Sequence, residues 1–171
     1  FRQVGLGWAN LGAVLLTLGI PYDSDRGRAW AGALGALLGG AAYRRSAELA
    51  RALGPFEEFE RNREPMLAVL ERHRAALAAI PAALAPAEIL EAATRAWDEA
   101  LLLGRRHGFR NAQATLIAPT GTVGLAMDCE TTGIAHYYAL ALTKRLPEGG
   151  IVGVHSAARV DGMIALGYRV Q

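Results

Sequence analysis

The sequence predicts a helix-rich α/β unit, and two patterns carry that reading. Through the first hundred or so of its 171 residues, large apolar side chains recur at spacings of three and four, the repeat of a helix face. From Asn111 to Ala118 polar and apolar residues alternate instead, the repeat of a strand, before a glycine-bearing turn. The expected organisation is a single partial domain over residues 1–171, mostly helical over 1–108, with a strand, a loop and closing elements over 109–171.

In chain order, Val4, Trp8, Leu11, Leu15 and Leu18 place a first helix over residues 3–18, stopped by Gly19. Glycines 5, 7 and 12 weaken it and are expected to be offset by a close helix contact. Ser24 or Asp25 can cap a second helix, whose face is Trp30, Leu34, Leu37, Leu38 and Ala41 and whose end is Gly54-Pro55. Pro65 suits a first turn, so Met66, Val69, Leu70, His73 and Leu77 form one face of a third helix, interrupted at Ile80-Pro81. A fourth starts at Pro86 and runs through Ile89, Leu90, Ala93, Trp97 and Leu101. Arg105, Arg106 and His107 fall at its negative end, and Gly108 terminates it. Beyond the strand, residues 137–142 fit a second strand or a short helix, 146–150 a loop, and 157–166 a closing helix ending at Gly167.

Composition narrows the function. With 52% hydrophobic and 20% charged residues the chain is expected to fold. A net charge of +2, from 18 basic and 16 acidic side chains without a basic run, argues against nucleic-acid binding. No apolar run has the length of a membrane span, and no signal-peptide layout is present. The start at Phe1 suggests a chain cut from something longer. The single cysteine, Cys129, excludes an intrachain disulfide and multi-cysteine metal sites, and it suits a reducing compartment.

The segment Ala118-Pro119-Thr120-Gly121-Thr122-Val123-Gly124 holds a φ-fixing proline, two hydroxyls and two glycines directly after the strand. Backbone amides turned into one concavity, with Thr hydroxyls beside them, bind phosphate oxygens without Lys or Arg. A plain Pro-Thr-Gly turn leaving a strand reads the same way, and no Gly-Lys-Ser/Thr follows to make a Walker loop. Asp128, Cys129, Glu130 and His136 crowd the next stretch without metal-ligand spacing and read as a polar loop, with Cys129 as a buried small residue. His73 and His107 read as a core or boundary residue and a helix-end cation. Trp8, Trp30 and Trp97 read as core.

The opening Phe1-Arg2-Gln3-Val4-Gly5-Leu6-Gly7-Trp8-Ala9-Asn10-Leu11-Gly12-Ala13, followed by Gly19-Ile20-Pro21-Tyr22-Asp23-Ser24-Asp25, resembles the catalytic subunit of class II, adenosylcobalamin-dependent ribonucleotide reductases. Gly54-Pro55-Phe56, Asn62-Arg63-Glu64-Pro65-Met66-Leu67, Ala96-Trp97-Asp98-Glu99-Ala100, Arg110-Asn111-Ala112-Gln113 and residues 118–133 resemble later blocks of that family, in the same order. The resemblance implies a fragment of a ten-stranded α/β barrel, with outer helices and one or two inner strands supplied here. It places the substrate phosphate on Pro119, Thr120, Gly121, Thr122 and Val123, and implies adenosylcobalamin as cofactor of the parent enzyme. It further implies a cytoplasmic enzyme taking a ribonucleotide substrate and a thioredoxin-like reductant, with a homodimer as candidate assembly.

The family reaction needs one radical-bearing and two reducing cysteines, expected before Phe1, so the isolated segment is expected to be inert and to bind nucleotide weakly or not at all. Where the family carries Glu-Pro after Gly-Ile, this chain reads Gly133-Ile134-Ala135-His136. The departure bears on whether that loop keeps the family geometry. A non-catalytic helical module derived from the same barrel is the alternative.

Overall fold

The computed structural model describes residues 1–137, 142–145, 149–154 and 156–169. They fall into two compact units: Phe1–Gly7 with Arg28–Ile117, and Trp8–Gly27 with the chain from Ala118 onward. Among the described residues, no helix is long and apolar enough to cross a membrane.

The first unit is built on three helices, α2 (Asp25–Leu53), α3 (Arg63–Ala75) and α4 (Ala87–His107); α1 (Leu11–Thr17) belongs to the second. Their ends follow local chemistry. The Ser24 hydroxyl accepts the Gly27 amide at 3.0 Å to cap α2, Pro86 precedes α4, and Gly108 ends α4 at φ +73°, a conformation glycine adopts without cost. Below α3, a 3-10 turn over Ala76–Ala79 carries the chain to Ile80.

The buried face of α2 differs from the one its large residues suggest. Ala29, Ala33, Ala42, Tyr43, Ser46, Ala47 and Ala50 are buried, while Trp30, Leu34, Leu37 and Leu38 are only half-buried. The cause is α4. A methyl group at Gly39 or Gly40 would stand 2.9 Å from the Trp97 ring, so small residues are what let Trp97 lie against α2 and donate its indole N–H to the Ala36 carbonyl at 2.9 Å. On α3 the buried stripe is Leu67 and Leu70, joined below by Leu77. Met66 is half-buried, and Val69 and His73 are exposed. Tyr43, Phe56, Phe59, Trp97 and Phe109 complete this core with tilted and edge-on ring contacts.

Residues 1–7 are not helical, contrary to the periodicity of Val4 and Trp8. They run beside residues 112–116: the Val4 amide donates to the Gln113 carbonyl, Leu6 to Ala114 and Leu116 back to Leu6, each at 3.0 Å, around a parallel bridge between Leu6 and Thr115. The strand expected after α4 is thus reduced to a short parallel ladder around one bridge, and no strand forms over residues 111–118. Glycine at position 5 serves that ladder and not a helix contact, because a Cβ there would lie 2.8 Å from Leu116 Cγ. Ser46 anchors the second segment to α2. Its hydroxyl accepts the Asn111 amide and donates to Asn111 Oδ1, both at 2.9 Å, and its carbonyl accepts the Arg110 amide at 3.1 Å.

The second unit holds α1, α5 (Gly121–Ala126), the antiparallel hairpin β1 (Leu142–Arg145) and β2 (Ile151–Val154), and α6 (Ala157–Ala165). Leu142 pairs with Val154 and Arg145 with Ile151. Of the segment expected as strand or short helix, Leu142 opens β1 and residues 138–141 lie outside the described residues; in the expected loop, 146–148 do. The closing helix is where its sequence puts it, capped by Ser156 and ended by Gly167 at φ +85°. It packs on α1, where Gly162 meets the Leu16 carbonyl.

Candidate functional site

Residues 118–133 make a loop closed at its base. Thr120 sits in the left-handed region at φ +61°, uncommon for a β-branched residue, and its side chain explains how it is held. The Thr120 hydroxyl donates to the Pro119 carbonyl at 2.6 Å and accepts the Gly133 amide at 3.2 Å, joining the outgoing and returning limbs. Gly133, at φ +50°, has to be glycine for the limbs to meet, since a Cβ would stand 2.6 Å from the Ala118 carbonyl oxygen.

Between the limbs the chain turns into α5, a single short helix that the turn chemistry did not predict. The Gly121 amide donates to Pro119 at 2.8 Å and the Val123 amide to Thr120 at 3.1 Å, so both face into the turn. Thr122 lies between them as the second helical residue, a position whose amide has no intrahelical acceptor. Among the described residues it has no backbone partner either. Pro119, Gly121, Thr122 and Val123 are exposed, Val123 at 62%, and Thr120 is half-buried. The five residues singled out in the sequence are therefore contiguous around one turn, with Thr122 exposed at the second helical position.

The returning limb is fixed by residues the sequence reading gave no role. Asn10 Oδ1 accepts the amides of Glu130 and Thr131 at 2.9 and 3.0 Å. The Glu130 carboxylate accepts the Ser156 hydroxyl and the Ala158 amide at the start of α6, and Tyr137 Oη shares the same serine at 2.7 Å. An acid over a helix N-terminus is favoured by the exposed amides and the helix dipole. No local sequence signal gives Asn10 this role: an Asn directly before an apolar helical run reads as a helix start, whereas its Oδ1 bonds the returning limb.

Other candidates scatter. Cys129 is half-buried, not buried, with its Sγ 4.0 Å from the Met127 carbonyl oxygen. His136 Nδ1 lies 2.6 Å from the Tyr137 carbonyl oxygen, and its ring meets Tyr22 edge-on. His73 sets its ring against Trp97 from the surface of α3, and His107 closes α4. Trp8 is half-buried and outside any helix, and Trp30 is half-buried; of the three tryptophans Trp97 is the one in the core. No three His, Cys, Asp or Glu side chains converge among the described residues.

The helices, the parallel bridge and the hairpin make this helix-rich α/β material, and the comparisons give it a family. A family model described as "Ribonucleotide reductase, barrel domain" matches residues 1–169, and the chain belongs to this family. It is similar to the vitamin B12-dependent ribonucleotide reductases of Agrobacterium fabrum (48% identical, covering 98% of this chain and 14% of the relative) and Streptomyces coelicolor (47%, 99% and 18%). A vitamin B12-dependent ribonucleoside-diphosphate reductase of Mycobacterium tuberculosis is 30% identical over 90% of this chain and 16% of its own length. The chain thus spans less than one fifth of the length of each of these three relatives.

Proposed function

We propose that this chain is a segment of an adenosylcobalamin-dependent ribonucleotide reductase and that Pro119, Thr120, Gly121, Thr122 and Val123 hold the phosphate of the ribonucleotide substrate. What supports the reading is the exposed Thr122 in the first turn of α5, in a loop that the Thr120 hydroxyl closes. First-turn amides are anion donors, and a loop closed beforehand loses little further entropy on binding. The parallel ladder of residues 1–7 and 112–116 supports a place for this segment in the wall of a ten-stranded barrel, with α2, α3 and α4 outside it. Both compact units would then be parts of one partial domain.

Adenosylcobalamin, when bound, supplies the radical that starts ribonucleotide reduction. The residues present do not supply the sulfur chemistry that follows: the chain has one cysteine where the family reaction uses three, and Cys129 lies on the loop's returning limb. The redox cysteines are therefore assigned to other parts of the parent protein. A thioredoxin-like reductant, a homodimeric assembly and a cytoplasmic location are proposed for that parent on family grounds.

Gly121 provides the test. It sits at φ +49° with no atom within 4 Å of a built Cβ, so a side chain there meets a conformational penalty and no collision. Gly121→Val in the full-length enzyme strains a backbone region hostile to β-branched residues, at a cost of about 1–3 kcal/mol, and displaces the neighbouring Thr122 amide. The nucleotide KM is expected to rise by about ten-fold or more, with a smaller change in kcat. An unchanged KM would remove this loop from the substrate site.

A further inference from the structure

The N-terminus of α1 breaks the ordinary capping rule in a specific way. An N-cap asparagine normally has extended backbone and turns its side-chain oxygen onto the second or third amide of its own helix. Asn10 instead stands at φ +74°, ψ +17° and makes no side-chain bond to α1. Its Oδ1 accepts the Glu130 and Thr131 amides, and its own amide donates to the Thr131 carbonyl at 3.2 Å. The vacated third position of α1 is served from the other side: the Ala13 amide donates to Thr131 Oγ1 at 3.4 Å. Thr131 is 1% exposed and its bond to the Ala13 amide is buried, while the two Asn10 Oδ1 bonds are part-buried, so leaving these groups unpaired is costly. Gly12 completes the fit, because a Cβ there would stand 2.7 Å from the Ala135 carbonyl oxygen and 2.9 Å from Thr131 Cγ2.

We infer that Asn10 is a positioning residue for the phosphate loop, holding its returning limb at Glu130-Thr131 by capping that limb in place of its own helix. The inference rests on the assignment of residues 119–123 to substrate phosphate. The route is short. Thr131 is two residues from Gly133, whose amide binds Thr120, and Thr120 fixes the turn that presents Thr122. Loss of the Asn10 acceptor lets the returning limb shift, and the Thr120–Gly133 closure shifts with it. A side chain that only stabilised α1 would lower the melting temperature without a selective effect on nucleotide affinity.

The test uses the full-length enzyme with its preferred ribonucleotide. Asn10→Gly keeps the left-handed backbone and removes the acceptor, whereas Asn10→Asp keeps both. For Asn10→Gly the nucleotide KM is expected to rise by about ten-fold with kcat changed less. Asn10→Asp should restore KM to within about two-fold of the parent, as an acceptor-dependent role requires. If Asn10→Gly lowers the melting temperature but leaves KM unchanged while Gly121→Val raises it, the positioning role is overturned and the phosphate assignment stands. If Gly121→Val leaves KM unchanged, the phosphate assignment fails and the inference falls with it. Should Asn10→Gly fail to accumulate, hydrogen exchange on the parent enzyme decides: slow exchange of the Glu130 and Thr131 amides is expected, and rapid exchange of both overturns the inference.

Discussion

Phe109→Ala is expected to lower the stability of the chain by about 3–5 kcal/mol, read as a lower urea midpoint. Phe109 is fully buried, 5.8 Å from Tyr43 and 6.1 Å from Phe59 between ring centroids, with both contacts edge-on. Its ring also fills the space left by Gly104 on α4, and its carbonyl accepts the Phe56 amide at 2.9 Å. The residue thus ties the end of α4 to the Phe56–Phe59 turn, and alanine would leave a ring-sized void that the fixed backbone around it cannot close. A loss below about 1 kcal/mol would mean that this aromatic cluster is not the core of the first unit.

The second large effect belongs to the α1–α6 contact. Gly162 is buried, and a methyl group there would enter the envelope of the Leu16 carbonyl oxygen and stand 3.0 Å from the Leu16 carbonyl carbon. Because the obstacle is backbone, no side-chain rotation relieves it. Alanine is the better helix former by roughly 1 kcal/mol, yet Gly162→Ala is expected to cost a net amount on the order of 2 kcal/mol through forced separation of the helices. A calorimetric or urea midpoint equal to or above that of the parent would show that α1 and α6 do not pack this closely.

The three long helices were legible because their ends carry local chemistry: Ser24 at the start of α2, Gly54-Pro55 after it, and Pro86 and Gly108 around α4. The closing helix was legible for the same reason. Residues 1–7 were not, because Val4 and Trp8 fall at helical spacing while the deciding partner, residues 112–116, lies more than a hundred positions away. The buried face of α2 was misread because size was taken as the mark of burial, whereas here alanine and glycine form the contact and Trp97 supplies the bulk. β2 was overlooked: Ile151 and Val152 are a short β-branched run beside Gly149-Gly150, too brief for periodicity to register.

At the candidate site, the proline, threonines and glycines of residues 119–124 announced a turn, and the structure has one. What holds it was invisible locally. The Asn10–Thr131 pair spans 121 positions, the Glu130–Ser156 pair 26, and neither has a spacing rule that a single sequence can reveal. The Gly121 amide is turned onto the Pro119 carbonyl within the loop, a bond that the order of residues alone does not reveal.

A structure of the full-length enzyme with its ribonucleotide bound addresses the substrate-phosphate assignment most directly. Phosphate oxygens within hydrogen-bonding distance of the Thr122 amide and hydroxyl are the predicted result. Phosphate held elsewhere, with the turn at Gly121 facing solvent or covered by protein, would contradict it.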